Sequence, residues 1–178
     1  MLEAEIWGIA ETGEGYVVLI KPLESEFSVP VFIGQAEAQA ILIGFGGVTI
    51  SRPLTVDLLH SLAKTADLKL DCVEITELKD NTFYGQMVFS RPTGGRLTLD
   101  SRPSDALAMA VRCKCPIYIA EKVVNEVGIP ADDLASPLQA DQETQKRLLK
   151  AELDEVIAME NYERAAEIRD MLNLLEKH

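Results

Sequence analysis

LTLDSRPSDALAMAVR, Leu97 to Arg112, holds the most chemistry in the fewest residues of this chain. Leu97, Thr98 and Leu99 alternate apolar and polar like the end of a strand, and Asp105 to Arg112, rich in Ala, Leu and Met, reads as a helix. Asp100, Ser101, Arg102, Pro103 and Ser104 make the polar turn between them. A strand handed through a short turn to a helix start presents free backbone N–H groups at a positive dipole end, which suits an anion. Ser104 is expected as the N-cap, with Pro103 fixing the entry. An equally good reading has Asp100, Ser101 and Ser104 merely capping the turn while Arg102 pairs with Asp105.

Working outward, Leu2–Ala10 and Tyr16–Pro22 read as strands joined across Gly13–Gly15, and Phe27–Ile33 as a third, a β-meander. After Gly34, QAEAQAILIGFGG has apolar residues at helical spacing and ends at a Gly pair. Ser51-Arg52-Pro53 precedes a second helix, in which Leu54, Leu58, Leu59, Leu62 and Ala63 make the apolar stripe. His60 lies at that stripe's edge and reads as structural. Leu68–Leu78 and Thr82–Ser90 form a hairpin across Lys79-Asp80-Asn81, and Arg96–Asp100 closes a second meander. Ser-Arg-Pro therefore opens a helix at 51–53 and again at 101–103, which suggests a duplicated three-strands-then-helix unit. A third Ser-Arg-Pro, at 90–92, runs into Thr-Gly-Gly and reads only as a turn.

Beyond the central helix, PIYIA (116–120) is a short buried strand, Glu121–Glu126 a brief helix, and Val127–Pro137 a linker. Glu143–Lys177 changes to long helix-forming side chains, read as a two-helix hairpin bent near Met159–Asn161. Helices this short cannot stand alone, so the pair is expected to dock on its own domain, a copy or a partner. The fold expected is α+β, with mixed sheets from two β-meander-plus-helix units and a C-terminal α-helical hairpin. Its domains are 1–135 and 138–178. Apolar strands such as PIYIA and PVFI need covered edges, so a homo-oligomer is expected.

Charge excludes an ordinary nucleic-acid binder, because 17 basic residues face 29 acidic ones for a net charge of −12. From Leu138 onward there are 6 basic and 10 acidic residues, so both parts are acidic and any phosphate site must be local. The acidic start MLEAEIWGIAETGEGY lacks a basic n-region, and no apolar run approaches a membrane span, so a cytoplasmic protein off the membrane is expected. Cys72, Cys113 and Cys115 read as free thiols, and a lone Cys-x-Cys is weak evidence for zinc.

IGQAEAQAI (33–41), RPLTVDLL (52–59), EITELKDNTFYGQM (74–87) and LDSRPSDALAMAVR (99–112), in this order, resemble the bifunctional nuclease family of bacteria and plants. YERAAEIRDML (162–172), preceded by LKAELDEVIAMENY, resembles the UVR helical-hairpin motif of the excision-repair endonuclease subunits B and C. The first resemblance implies cleavage of phosphodiester bonds in DNA and RNA, with nucleic acid as substrate. The second implies a protein partner held by the 138–178 hairpin. Where the family often has His in its R-P-x-T-H-D segment, this chain has Val56, so an imidazole base is missing at that position.

Nuclease chemistry needs cations on the phosphate, a base to activate water and commonly a divalent metal such as Mg held by carboxylates. In the matching segments the candidate catalytic residues are Glu37, Arg52, Asp57, Arg102 and Asp105. Arg52 and Arg102, with Ser104, are the candidate phosphate contacts, since Arg offers a bidentate fork. Glu37, Asp57, Asp100 and Asp105 are candidate metal ligands. Against this stands a purely structural reading, in which Arg–Asp pairs at two helix starts lock the halves together. A non-catalytic interaction or regulatory module is the second class of function, and a thiol or metal protein using Cys113 and Cys115 the third.

Overall fold

The computed structural model describes residues 1–13, 15–46 and 52–131, and the single helical positions Lys150, Leu153, Ala165 and Arg169. The hairpin's bend, like every position of 138–178 other than these four, lies outside the described residues. The first meander is β1 (Leu2–Thr12), β2 (Gly15–Pro22) and β3 (Phe27–Ile33), followed by α1 (Gln35–Phe45) and α2 (Thr55–Thr65). The second is β4 (Lys69–Lys79), β5 (Thr82–Ser90) and β6 (Arg96–Ser101), followed by α3 (Pro103–Cys113), β7 (Ile117–Ile119), α4 (Glu121–Val127) and β8 (Ile129–Pro130).

The β4–β5 turn is made by Asp80 and Asn81 at φ 50° and 58°, the paired left-handed residues of a type I′ turn that Asn and Asp tolerate. Gly94 and Gly95, at φ 86° and 103°, turn β5 into β6, so the third Ser-Arg-Pro is a turn. The two meanders join into one mixed eight-stranded sheet, ordered β6-β5-β4-β7-β1-β2-β3-β8. β7 is the joint, parallel to β4 through Val73 and Ile75, and antiparallel to β1 through Leu2 and Ala4.

Of the two apolar strands, PIYIA lies at the sheet's centre, whereas β8 pairs only with Phe27 and Ser28 of β3 and does not reach PVFI (30–33). Among the described residues the outermost strands are β6 and β8. β8 also shortens the expected linker, since Ile129 and Pro130 pair with Ser28 and Phe27 and the Ala131 N–H donates to Glu26 O at 2.7 Å. Pro130 is tolerated because an edge strand leaves one row of donors unused.

α3 is the core of the molecule. Ala106, Leu107, Ala108, Met109 and Ala110 are all at most 2% exposed, so this helix is buried on nearly every side, between the sheet and the flanking α1 and α2. Its alanines let those helices approach closely. A Cβ on Gly44 of α1 would stand 2.5 Å from Val111 Cγ2 and 2.9 Å from Arg112 Nη1. Burying Leu107 and Met109 is worth roughly 1.5–3 kcal/mol each.

The helix begins earlier than expected. Arg102 is the N-cap, extended at φ −67° and ψ 146°, and Pro103 is the first helical residue. The cause is local: a residue before proline is pushed out of the helical region, and proline suits the first turn. Ser104 is thus one position inside the helix, 6% exposed, and does not cap it. Ser-Arg-Pro also serves the two units differently, opening α3 directly after β6 but opening α2 only after α1. In chain order the counterpart of Arg102 is Gly34, the N-cap of α1 that follows β3.

Candidate functional site

α1 and α3 bring their N-terminal turns together, and three of the expected residues meet there. Arg102 grips Asp105 with two prongs, Nε to Oδ2 at 2.9 Å and Nη2 to Oδ1 at 3.2 Å, and reaches across to Glu37 Oε1 with Nη1 at 2.8 Å. Its own carbonyl accepts the N–H groups of Asp105 and Ala106. Three of its five N–H donors are thus engaged and two remain. The guanidinium side chain is 65% exposed, with Asp105 at 40% and Glu37 at 23%.

Glu37 folds back over the start of its own helix. A Cβ on Gly34 would run into the Glu37 carboxylate, so glycine at the N-cap leaves room for it. A backbone N–H of that turn, then the Arg102 hydrogen bond, hold the Glu37 carboxyl below its ordinary value. It is ionised at neutral pH, a weak proton acceptor but a good electrostatic partner. Asp105 lies in the first turn of α3, the favourable place for a negative charge on the helix dipole.

Asp57 belongs to a different cluster. Its carboxylate accepts the Leu54 N–H at 2.8 Å and the Nε–H of Arg112. Arg112, only 7% exposed, also donates through Nη1 to the carbonyls of Ala40 at 2.8 Å and Ala108 at 2.9 Å. One arginine at the end of α3 therefore ties α1 and α2 to α3. Burial works to raise the Asp57 carboxyl, but the Arg112 and Leu54 hydrogen bonds outweigh it and leave it below its ordinary value. The lock is made not by an arginine at a helix start, as expected of Arg–Asp pairs, but by Arg112 at the end of α3, which was not among the expected residues.

The other expected residues stand apart. Arg52 is exposed and has no ion pair among the described residues. Asp100 lies opposite Gln86, on the face of β6 that alternates with Leu97 and Leu99. Leu97 and Leu99 lie opposite Phe89 and Met87 of the core, so Asp100 is turned to the sheet face away from the core helices. Val56 packs partly buried against the core. Among the described residues, no group of three or more His, Cys, Asp or Glu could hold a metal ion. Burial raises the thiols of Cys113 and Cys115, the latter to about 12, which keeps both protonated and ill suited to thiolate chemistry.

Two clefts lie elsewhere, of about 400 Å³ beside His60, Lys64 and Arg112, and of about 520 Å³ beside Phe45, Lys114 and Cys115. The Glu37–Arg102–Asp105 cluster lines neither of them. Its Arg102 side chain is 65% exposed, and a solvated cation of this kind is accessible to a polymer.

The bifunctional nuclease domain profile matches residues 17–132. The chain belongs to the bifunctional nuclease domain family. A UvrB/UvrC motif profile matches residues 143–177. An uncharacterized protein of Mycobacterium tuberculosis is 34% identical over 142 residues, 79% of this chain and 84% of that relative. Bifunctional nuclease 1 of Arabidopsis thaliana is 22% identical over 165 residues, covering 81% of this chain and 51% of the plant protein. Bifunctional nuclease 1 of Oryza sativa subsp. japonica is 24% identical over 107 residues, 59% of this chain and 32% of its own length. The family makes nucleic acid the substrate class. Among the described residues, no helix is long and apolar enough to cross a membrane.

Proposed function

We propose that this member of the family hydrolyses phosphodiester bonds of both DNA and RNA, in the cytoplasm, at the Glu37–Arg102–Asp105 cluster. The observation that carries the reading is Arg102, fixed by two carboxylates yet mostly exposed, with two N–H donors left at a helix N-terminus. Phosphate oxygens would take those donors, and the orienting carboxylates keep the guanidinium fork in place. Arg52, exposed at the entry to α2, is the second phosphate contact. Glu37 and Asp105 are the groups that could orient water or share a divalent cation such as Mg with the substrate phosphate, since that ion needs only one or two carboxylates beside phosphate oxygens. In this reading residues 138–178 bind a protein partner, supported by the UvrB/UvrC motif match and by an acidic charge that disfavours direct contact with nucleic acid.

The test is cleavage of single-stranded DNA and of RNA by the full chain, with and without chelator, beside Arg102→Ala. The expected result is cleavage of both polymers, lost by at least tenfold in the variant, or about 1.4 kcal/mol of transition-state stabilisation, while its melting temperature stays close to that of the parent. An inactive parent under all metal conditions would leave the interaction-module reading in its place. Equal activity in parent and variant would move the active centre away from Arg102.

A further inference from the structure

β6 is an edge strand that lacks the bulge, the proline and the lysine that commonly guard such an edge. Its ladder with β5 runs unbroken from Gly85–Ser101 to Ser90–Arg96, without the bulges that interrupt β1 and β4. It has no lysine and no proline within Arg96–Ser101, and Arg96 to Asp100 are all exposed. Among the described residues nothing pairs with its outer side. An edge of this kind offers a row of free backbone groups to another strand.

The pattern along the strand says which strand that is. Leu97 and Leu99, 40% and 44% exposed, point to the helix-covered face, where they continue the line of Phe89 and Met87. Arg96, Thr98 and Asp100 point to the other face. We infer that β6 pairs antiparallel with β6 of a second copy of this chain, about a two-fold axis through Thr98.

That register sets Arg96 opposite Asp100 of the partner subunit, twice by symmetry, and Leu97 opposite Leu99 of the partner subunit, also twice. It is the self-complementary arrangement that a closed two-fold interface demands. A two-fold axis perpendicular to the sheet must keep each side chain on its own face, so a pairing can shift only in steps that move the axis from Thr98 to Leu97 or Leu99. Either shift separates the opposite charges and sets Arg96 or Asp100 against Thr98. Only the axis at Thr98 satisfies both the charged and the apolar row. Arg96 is free enough to serve, since it stands 3.5 Å from Glu74 of its own chain while 65% exposed, with donors to spare. The result is one continuous sheet running through both copies, its joint directly upstream of Arg102.

The experiment is sedimentation velocity on the full chain at micromolar concentration, with Arg96→Glu, Asp100→Arg and an equimolar mixture of the two. The parent is expected at twice the 19.6 kDa chain mass and each single variant at the chain mass, because each brings like charges together across the joint. The mixture is expected to return to twice the mass, since one strand then carries two arginines opposite a glutamate and an aspartate. Thermal melts confirm that each variant is folded. Should Arg96→Glu, which also faces Glu74, fail to fold, Leu99→Lys takes its place as a second single variant expected at the chain mass. A parent that sediments at the chain mass overturns the inference. So does a dimer that survives Asp100→Arg, or folded single variants whose mixture stays monomeric. None of these outcomes bears on the nuclease reading, which rests on Arg102.

Discussion

α3 carries an arginine at each end, and the two differ in almost everything but their charge. Arg112 is 7% exposed and spends three donors on Asp57 and two backbone carbonyls, leaving its buried Nη2 without a hydrogen-bond partner among the described residues. Arg102 is 65% exposed and spends three donors on Asp105 and Glu37. The first is enclosed by its neighbours, although it also lines the cleft beside His60. The second is oriented but open. A buried arginine whose bonds reach three helices holds them together, whereas an oriented and solvated one can hold an anion. Each engages three of its five donors, so the distinction rests on burial and on what those donors reach rather than on residue type.

The largest effect should come from removing the buried member. Arg112→Ala leaves the Asp57 carboxylate without its cation and frees α1 and α2 from α3, and a loss of about 3–5 kcal/mol is expected by urea denaturation. A loss below about 1 kcal/mol, the range of a surface pair, would erase the contrast with Arg102. The close helix crossing next to it gives a second, smaller effect. Gly44→Ala gains helix propensity but drives a methyl into Val111 and Arg112, so a net destabilisation of about 1 kcal/mol is expected from the balance of the two terms.

The sequence made the strands and turns of this fold readable because they rest on local rules: alternation in β4 and β5, positive φ at Asp80 and Asn81, helical spacing in α2. It did not reveal that β7 sits between the meanders, because three apolar residues carry no information about their neighbours in the sheet. β8 was hidden for a related reason, being two residues inside a Pro- and Gly-containing run. At the site, Glu37, Arg102 and Asp105 were legible as candidates, since Arg102 and Asp105 are three apart at a helix start. Their union with Glu37, 65 residues earlier in the chain, was not. Ser104 was misplaced although Pro103 already marked Arg102 as the cap. Arg112 was missed because its role depends on which side of α3 meets α2, a tertiary fact.

Acid should act on the two clusters unequally. The Asp57 carboxyl has a folded value below its unfolded one, so the stability it lends is complete above the unfolded value, about 3.9, and is lost as pH falls through the folded value. Asp57→Asn should therefore be less stable than the parent at pH 7 by urea denaturation, and the difference should shrink on acidification below about pH 4. The Glu37 carboxyl is shifted in the same direction, and Glu37→Gln should show the same convergence from a smaller starting gap, because its partner Arg102 is screened by water. A difference that stayed constant with pH would mean that Asp57 stabilises through packing rather than through its charge.

The finest test applies one conservative change to both ends of α3. Lysine keeps the charge but offers one point in place of a fork. At position 112 a single ammonium cannot serve Asp57 and the Ala40 and Ala108 carbonyls at once, so Arg112→Lys leaves buried acceptors short of donors and should cost about 1–3 kcal/mol. At position 102 water replaces whatever donor is lost, and Arg102→Lys should change stability by less than about 1 kcal/mol. Phosphate affinity should move the other way, unchanged in Arg112→Lys and weakened in Arg102→Lys, as read by titration of a short oligonucleotide. If both lysine variants instead lost stability equally, Arg102 would be a structural clamp on α1 like its counterpart. The anion site would then have to be sought at Arg52.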